Sequence, residues 1–344
     1  MRSSTIQDLR ETYLVGNKRI KWSTSQLTDR AFSYLLRAIG NMELKYMTME
    51  HAEEYQLWLL NRFSKTSCNI YMKIIRPVFR FAIRRKWMKE DVFAIPLIKV
   101  TEERERIYDP QEVRHIIEAT NQIWRLRIML AVLCGLRRAE ALNITFSDID
   151  FQRKLIHVQP KKETQRTWAW EPKGKTCRTL PMPEEVEELI QAQRLELPND
   201  QPYVCISEIR YWRLTQLLKR GQLSERIRLC PDENFSKPFK LILRRANVSD
   251  GTFHDLRRTY GTNMAEAGIP QHELAYLMGH NDTKTTERYY IKIRQGHVIE
   301  RARSLARNQA IGAIGFEPTA SCSPSKRSNQ DELRPEQTIL SNIT

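Results

Sequence analysis

Two arginines, two histidines and a tyrosine sit in short, distinctive contexts in this 344-residue chain. Arg137 follows a glycine break in Cys134-Gly-Leu-Arg-Arg-Ala-Glu. Phe253-His-Asp-Leu-Arg sets His254 and Arg257 three residues apart, on one face of a helix. Leu277-Met-Gly-His places His280 nine residues before Tyr289. Two arginines can fork onto the non-bridging oxygens of one phosphate and stabilise the extra charge of a pentavalent transition state. A tyrosine can attack phosphorus and hold it as an ester. Its ordinary pKa is about 10, so neighbouring cations must help it ionise. A nearby lysine could protonate the departing oxygen. The chemistry these residues suggest is phosphoryl transfer through a tyrosine ester. It calls for neither metal nor nucleotide, because each ester conserves the energy of the bond it replaces.

Each residue alone has a plainer reading. Arg137 could be a surface arginine after a helix break, His254 could stabilise its helix, and Tyr289 could be a core aromatic. These readings would all have to hold at once. Gly174-Lys-Thr invites a nucleotide-binding loop, but the earlier glycine that such a loop requires is Ala169. His254 and His280 lack the carboxylates or the His-Glu-x-x-His spacing of a metal site. Six scattered cysteines without a Cys-x-x-Cys pair suggest buried free thiols rather than a zinc cage or disulfide framework.

The elements that must position these groups divide the chain. Residues 1–97 read as all-helical, with helices expected near 24–39, 48–63 and 66–87. A charged stretch over 98–108 reads as a linker. Asp109, Pro110 and Glu112 then open a new helix with a capping box. The second domain, 109–305, mixes helices with a short sheet. Helices are expected at 122–134, 137–143, 183–195, 208–219, 236–246, 253–267 and 270–278, and strands at 154–159, 166–170 and 177–182. Gly279 suits the left-handed residue that ends a helix. Residues 306–344 have no apolar period and are expected to be disordered. The expected fold is mainly α with a small β-sheet, of the α+β kind.

The net charge is +15. Residues 1–108 carry 20 basic and 12 acidic side chains, 109–305 carry 32 and 25, and the last 39 carry four of each. Two basic modules suit a long polyanion, and nucleic acid is the expected partner. Between Tyr71 and Lys89 lie Lys73, Arg76, Arg80, Arg84, Arg85, Lys86 and Lys89, with no acidic residue among them. Positions 73, 76, 80 and 84 share a helical face, and Tyr71, Ile75, Val78 and Ala82 share a packing face. The basic residues are expected to contact the DNA backbone, which positions a protein without choosing sequence. Pro77 should kink this helix or lie near its start. The N-terminal stretch lacks the apolar core of a signal peptide, and the longest apolar run is too short to span a bilayer. The expectation is a cytoplasmic protein without membrane partners.

Taken together, the motifs resemble the tyrosine recombinase, or phage integrase, family in order, spacing and flanking residues. The catalytic match spans roughly 109–295, and the helical first domain resembles the family's core-binding domain more loosely. The resemblance implies that Arg137 and Arg257 are the catalytic arginines and that Glu140 orients its neighbours. It implies that His280 hydrogen-bonds the phosphate, His254 assists, and Tyr289 is the nucleophile. It also places the family's hairpin lysine, a general acid, at Lys173, with Lys161, Lys162 and Lys175 as rivals. Tyr290 is the adjacent rival to Tyr289, and helical neighbours point about 100° apart. The implied activity is site-specific DNA recombination through a 3′-phosphotyrosine and a Holliday junction. The implied setting is integration or excision of a mobile element by a homotetramer on double-stranded DNA, with room for accessory DNA-bending or directionality factors. Alternatives are a chromosome or plasmid dimer resolvase of the same family, a type IB topoisomerase, and a DNA-binding protein that has lost catalysis.

Overall fold

The computed structural model describes residues 4–16, 20–100, 106–175, 177–232, 234–282, 284–291, 303 and 305. The expected tail, 306–344, and the middle of the expected linker, 101–105, lie outside them. The chain separates into units Met1–Ile293 and Arg294–Thr344. Arg303 and Leu305 are the only described residues of the second unit. Among the described residues the chain is mainly helical with one small sheet, and no helix is long and apolar enough to cross a membrane.

Helices α1 (Ile6–Gly16), α2 (Trp22–Ile39), α3 (Met49–Leu60) and α4 (Lys65–Arg84) close around their own core, which includes Phe32, Leu35, Tyr55, Ile75 and Phe79. Helix α4 starts at Ser64, whose hydroxyl accepts from the Ser67 amide at 3.3 Å. Its apolar stripe, Tyr71, Ile75, Val78 and Ala82, is buried. Pro77 lies inside the helix. The helix ends at Arg84, short of the expected 87. Lys86 there takes a left-handed φ of 59°, Trp87 N donates to Ala82 O and Lys86 N to Ile83 O. This is a Schellman turn with lysine where glycine is usual.

The second core, including Leu126, Ile128, Leu142, Leu180 and Leu256, belongs to residues 108–256. Helix α5 (Pro110–Glu118) opens with the expected capping box, Asp109 Oδ1 accepting from Glu112 N at 2.8 Å and Glu112 Oε2 from Asp109 N at 3.1 Å. Then come α6 (Gln122–Val132), α7 (Arg138–Asn143) and strands β1 (Ile149–Asp150), β2 (Leu155–Val158) and β3 (Arg178–Pro181). The strands form an antiparallel sheet in the order β1-β2-β3, with Val158 opposite Arg178 and Leu155 opposite Pro181.

The strand expected at 166–170 does not form. Trp168 and Trp170 do alternate inward, but Trp168 N donates to the Tyr203 hydroxyl at 3.1 Å and its ring stacks on Tyr203 at 3.9 Å. Among the described residues, a single bridge, Lys161 to Trp170, is the only pairing there. Helices α8 (Glu184–Glu196), α9 (Glu208–Lys219), α10 (Glu225–Leu229) and α11 (Ser236–Arg245) follow. They lead to the three helices that build the site: α12 (Phe253–Glu266), α13 (Gln271–Met278) and α14 (Lys284–Ile291). Helix α12 packs against α6 on one side and α13 and α14 on the other.

Candidate active site

Helix α13 ends in a Schellman turn. Gly279 is left-handed, with φ 58° and ψ 47°, and His280 N reaches back to Ala275 O at 2.9 Å. Three successive carbonyls at this end, which a helix leaves without internal donors, are taken by three arginines. Arg178 Nε donates to Leu277 O at 2.8 Å, Arg257 Nη2 to Met278 O, and Arg137 Nη2 to Gly279 O at 2.7 Å. The negative end of a helix dipole thus gathers guanidinium groups from α7's N-cap, from β3 and from α12. The glycine break before Arg137 has its own cause. Gly135 is left-handed with φ 65°, a Cβ there would drive into the Tyr260 ring, and its carbonyl accepts from Arg257 Nη1.

Among the described residues, Glu140 is the one carboxylate that these three cations share. Its oxygens accept from Arg178 Nη2 at 2.7 Å and Nη1 at 3.0 Å, from Arg137 Nη1 at 2.8 Å and from the Arg137 amide at 2.8 Å, while Arg257 Nη1 lies at 3.8 Å. Burial alone would raise the Glu140 pKa. The Arg178 hydrogen bonds and charge, then Arg257 and Arg137, overturn that and bring it down to about 2. One fixed negative charge therefore faces three guanidiniums. The surplus shows at Arg257: desolvation first, then the charges of Arg137 and Arg178, bring it down to about 9, with Glu140 and Tyr289 opposing. It is still cationic at pH 7, in a site that an added anion would relieve. Arg178 is the residue that motif reading passed over. Its signal was an arginine on a short strand in an inward register, and its side chain is fully buried.

Tyr289 comes to this cluster from the same chain. It is buried with Tyr260, Leu274 and Met278, and its ring lies nearly parallel to that of His280, at 8° and 6.3 Å between centroids. Gly261 of α12 makes the approach possible, since a Cβ there would stand 2.8 Å from Tyr289 Cε1 and 2.9 Å from Met278 Sδ. His280 touches Arg257 Nη2 through Nε2 at 3.2 Å and Thr286 Oγ1 through Nδ1 at 2.8 Å. The Tyr290 side chain lies outside the described residues.

His254 is exposed, one turn before Arg257. Desolvation, then Arg257, Arg258 and Arg137, pull its pKa down to about 4, with Asp255 opposing. Solvent screens part of this at an exposed ring, and the direction leaves it neutral at pH 7.

The β2–β3 connection carries the lysines. Lys161 is held by Asp148 at 2.5 Å with its side chain 9% exposed. Lys162 is exposed, and Lys175, also exposed, lies 3.7 Å from Glu171. Lys173 is exposed at a turn whose Gly174, φ 82°, packs so closely that a Cβ would sit 2.7 Å from Asn281 Nδ2. That turn therefore lies against the residue after His280. Among the described residues, no group of three His, Cys, Asp or Glu side chains is placed to hold a metal ion.

The basic run on α4 needs a correction. Its own sequence offers no acidic partner, but Asp91, just beyond it, pairs with Arg80 Nε at 3.2 Å. Arg76 is half-buried and donates to Ile95 O. Both arginines are tied to the segment that folds back after α4. Arg84, Arg85 and Lys86 crowd the helix C-terminus, where its dipole favours cations. Lys73, Arg84, Arg85, Lys86 and Lys89 remain exposed.

The phage integrase family model matches residues 106–296, and a phage integrase SAM-like domain model matches 9–101. The chain belongs to the phage integrase family, the tyrosine recombinases. It is 25% identical over 240 residues to the integrase of Salmonella phage P22, covering 68% of this chain and 56% of the phage protein. It is 30% identical over 230 residues to a XerC-like tyrosine recombinase of Caldanaerobacter subterraneus, covering 61% and 55%. The chain thus spans about half the length of these two curated relatives. Among solved structures, the Tn1549 transposon integrase in complex with a circular intermediate DNA superposes with a TM-score of 0.70 at 19% identity, over 88% of this chain and all of that one. A lambda integrase tetramer bound to a Holliday junction gives 0.62 at 16%, over 84% and 78%.

Proposed function

We propose that this protein is a site-specific DNA recombinase that integrates or excises a mobile element. The observation that carries the reading is the cluster of Arg137, Arg178 and Arg257 around a single carboxylate, with Tyr289 of the same chain among the groups acting on Arg257. The scissile phosphate enters this surplus of positive charge. The Tyr289 oxygen, its proton lost to solvent as the surrounding cations favour the phenolate, bonds to phosphorus as the bond to the 5′ oxygen breaks, leaving a 3′-phosphotyrosine. Arg137, Arg257 and His280, with the neutral His254, hold the phosphoryl oxygens, and the fixed guanidiniums stabilise the charge of the transition state. Lys173, on the turn beside Asn281, protonates the departing 5′ hydroxyl. Glu140 holds Arg137 in place. Attack by the 5′ hydroxyl of a second duplex reverses the chemistry and exchanges the strand. Two such rounds, through a Holliday junction, recombine two sites held by four protomers. Lys73, Arg84, Arg85, Lys86 and Lys89 grip the backbone from the first domain, with Arg76 and Arg80 acting through the segment they hold.

The test is covalent capture. The protein is incubated with a pool of randomised duplexes, each nicked so that cleavage releases a short fragment and cannot reverse. Adducts that survive denaturation are collected and sequenced. Wild type is expected to yield adducts enriched in one sequence. Tyr289→Phe is expected to bind the selected duplex with unchanged affinity and yield none. Adducts from Tyr289→Phe, or none from wild type, would refute the proposal.

A further inference from the structure

The turn that carries Lys173 is held on both sides, and by the same short helix. Five residues before Lys173, the indole Nε1 of Trp168 donates to Asn143 Oδ1 at 2.8 Å. Five residues after it, Arg178 donates to both oxygens of Glu140. Asn143 and Glu140 lie three apart on α7 and so share one face of it. Arg137, which Glu140 also holds, stands immediately before that helix. An indole nitrogen only donates, so Asn143 must turn its oxygen to Trp168. Its Nδ2 then faces the other way and donates to Ala139 O at 2.8 Å, which fixes the amide. Asn143 is fully buried, Trp168 is 1% exposed, and the Trp168 ring is stacked on Tyr203. A hydrogen bond between two such groups is costly to lose on one side only.

We infer that Asn143 is a positioning residue: with Glu140 it makes α7 the mount for both limbs of the β2–β3 connection, so that one element sets Lys173 and Arg137 together. Lys173 is exposed and its side chain is long and flexible, so its place depends on the backbone beneath it. Gly174 packs that backbone against Asn281, and Lys175 N donates to Pro172 O at 3.0 Å. Those contacts hold the tip. The bonds from Asn143 and Glu140 tie the limbs to the helix that follows Arg137. The connection is therefore preset in the protein without DNA. Loosening its Trp168 limb moves the lysine and leaves the arginines where they are. The inference rests on the proposed recombinase reading, with Lys173 as the acid, for its consequence in catalysis. The mounting of the connection on α7 does not depend on that reading.

The experiment has two arms. In the first, amide hydrogen exchange of the DNA-free chain is followed by mass spectrometry. Trp168→Phe keeps an aromatic ring against Tyr203 and removes the indole donor. The double variant Asn143→Leu/Trp168→Phe removes both partners, so no buried polar group is left unpaired and the fold is spared. In both variants the peptides over 167–175 should exchange about tenfold faster than in wild type, while those of α6 and α12 stay put. Unchanged exchange over 167–175 overturns the inference, and so does faster exchange spread evenly over the chain. The second arm is adduct formation on the selected nicked duplex and on the same duplex with sulfur at the 5′-bridging position. On the ordinary duplex both variants should be slower than wild type by about 10- to 100-fold, the cost of displacing a reacting group by about 1 Å. On the sulfur duplex, whose leaving group needs no proton donor, they should match wild type. Equal slowing on both duplexes, or none on either, overturns the inference. If wild type forms no adduct on either duplex, the recombinase reading fails, and the exchange arm alone decides whether α7 holds the connection.

Discussion

At the scale of single residues, the site is a problem in charge. On the proposed reading, Arg137→Ala and Arg257→Ala each remove a cation that stabilises the phosphoryl group, and adduct formation should fall by about 100- to 1,000-fold in each. Glu140 has a different signature. Its pKa lies near 2, below the ordinary 4.5, so the folded protein holds this proton less tightly than the unfolded chain does. The stabilisation is complete above about pH 4.5 and is lost as pH falls towards 2, and it is worth on the order of 3 kcal/mol. In Glu140→Gln the acid side of the stability profile should flatten in that window, measured by denaturant unfolding at stepped pH. Arg178→Ala leaves the buried carboxylate without both of its Arg178 hydrogen bonds and should cost about 3–5 kcal/mol. Arg178→Lys should recover part of that, because it restores charge without the fork. Arg137, Arg257, His280 and Tyr289 were legible because each sits in a box with recognisable neighbours. Arg178 was not. It acts through Glu140, 38 residues away in the chain, and only the fold brings the two together.

At the scale of elements, most helices of the second domain lie within a residue or two of their expected bounds, because capping and apolar period agree there. The exceptions have local causes. Helix α1 buries only Ile6 and Leu9 and is held by reciprocal bonds between Thr5 and Asp8, a cap without a strong apolar stripe to announce it. The segment 166–170 has the alternation of a strand, but Trp168 spends its polar atoms on Tyr203 and Asn143, and the pairing stops at the Lys161–Trp170 bridge. Spacing alone left the lysines of the β2–β3 connection as rivals; the Lys161–Asp148 pair occupies one of them, and Gly174 sets the turn that carries Lys173 and Lys175 against Asn281. Two outcomes test this arrangement. Gly261→Ala should push Tyr289 away from α12 and reduce adduct formation at least tenfold, for about 1–3 kcal/mol of stability, as overpacking does; rates and thermal midpoints measured together check it. Lys173→Ala should abolish cleavage of an ordinary duplex and recover it when sulfur replaces the 5′-bridging oxygen, since a thiolate, with a conjugate-acid pKa of about 8.5, leaves without a proton donor. Failure of the sulfur substrate to rescue would move the acid role to another group.

At the scale of the whole molecule, residues 1–108 and 109–305 together account for the whole net charge of +15, consistent with a protein that holds a duplex with both modules. Removing the exposed cations of α4 and the turn after it, Lys73, Arg84, Arg85, Lys86 and Lys89, should weaken DNA binding alike on all sequences. The slope of log affinity against log salt should become shallower by about one for each phosphate that is no longer neutralised. An unchanged slope would place the DNA-binding cations elsewhere. The central claim concerns one atom, and it can be read from the full-length chain. The covalent protein–DNA adduct is digested with nuclease and protease, and the modified peptide is sequenced by tandem mass spectrometry. The account predicts a nucleotide joined through its 3′ phosphate to Tyr289; the same modification on Tyr290, or on any other side chain, would contradict it.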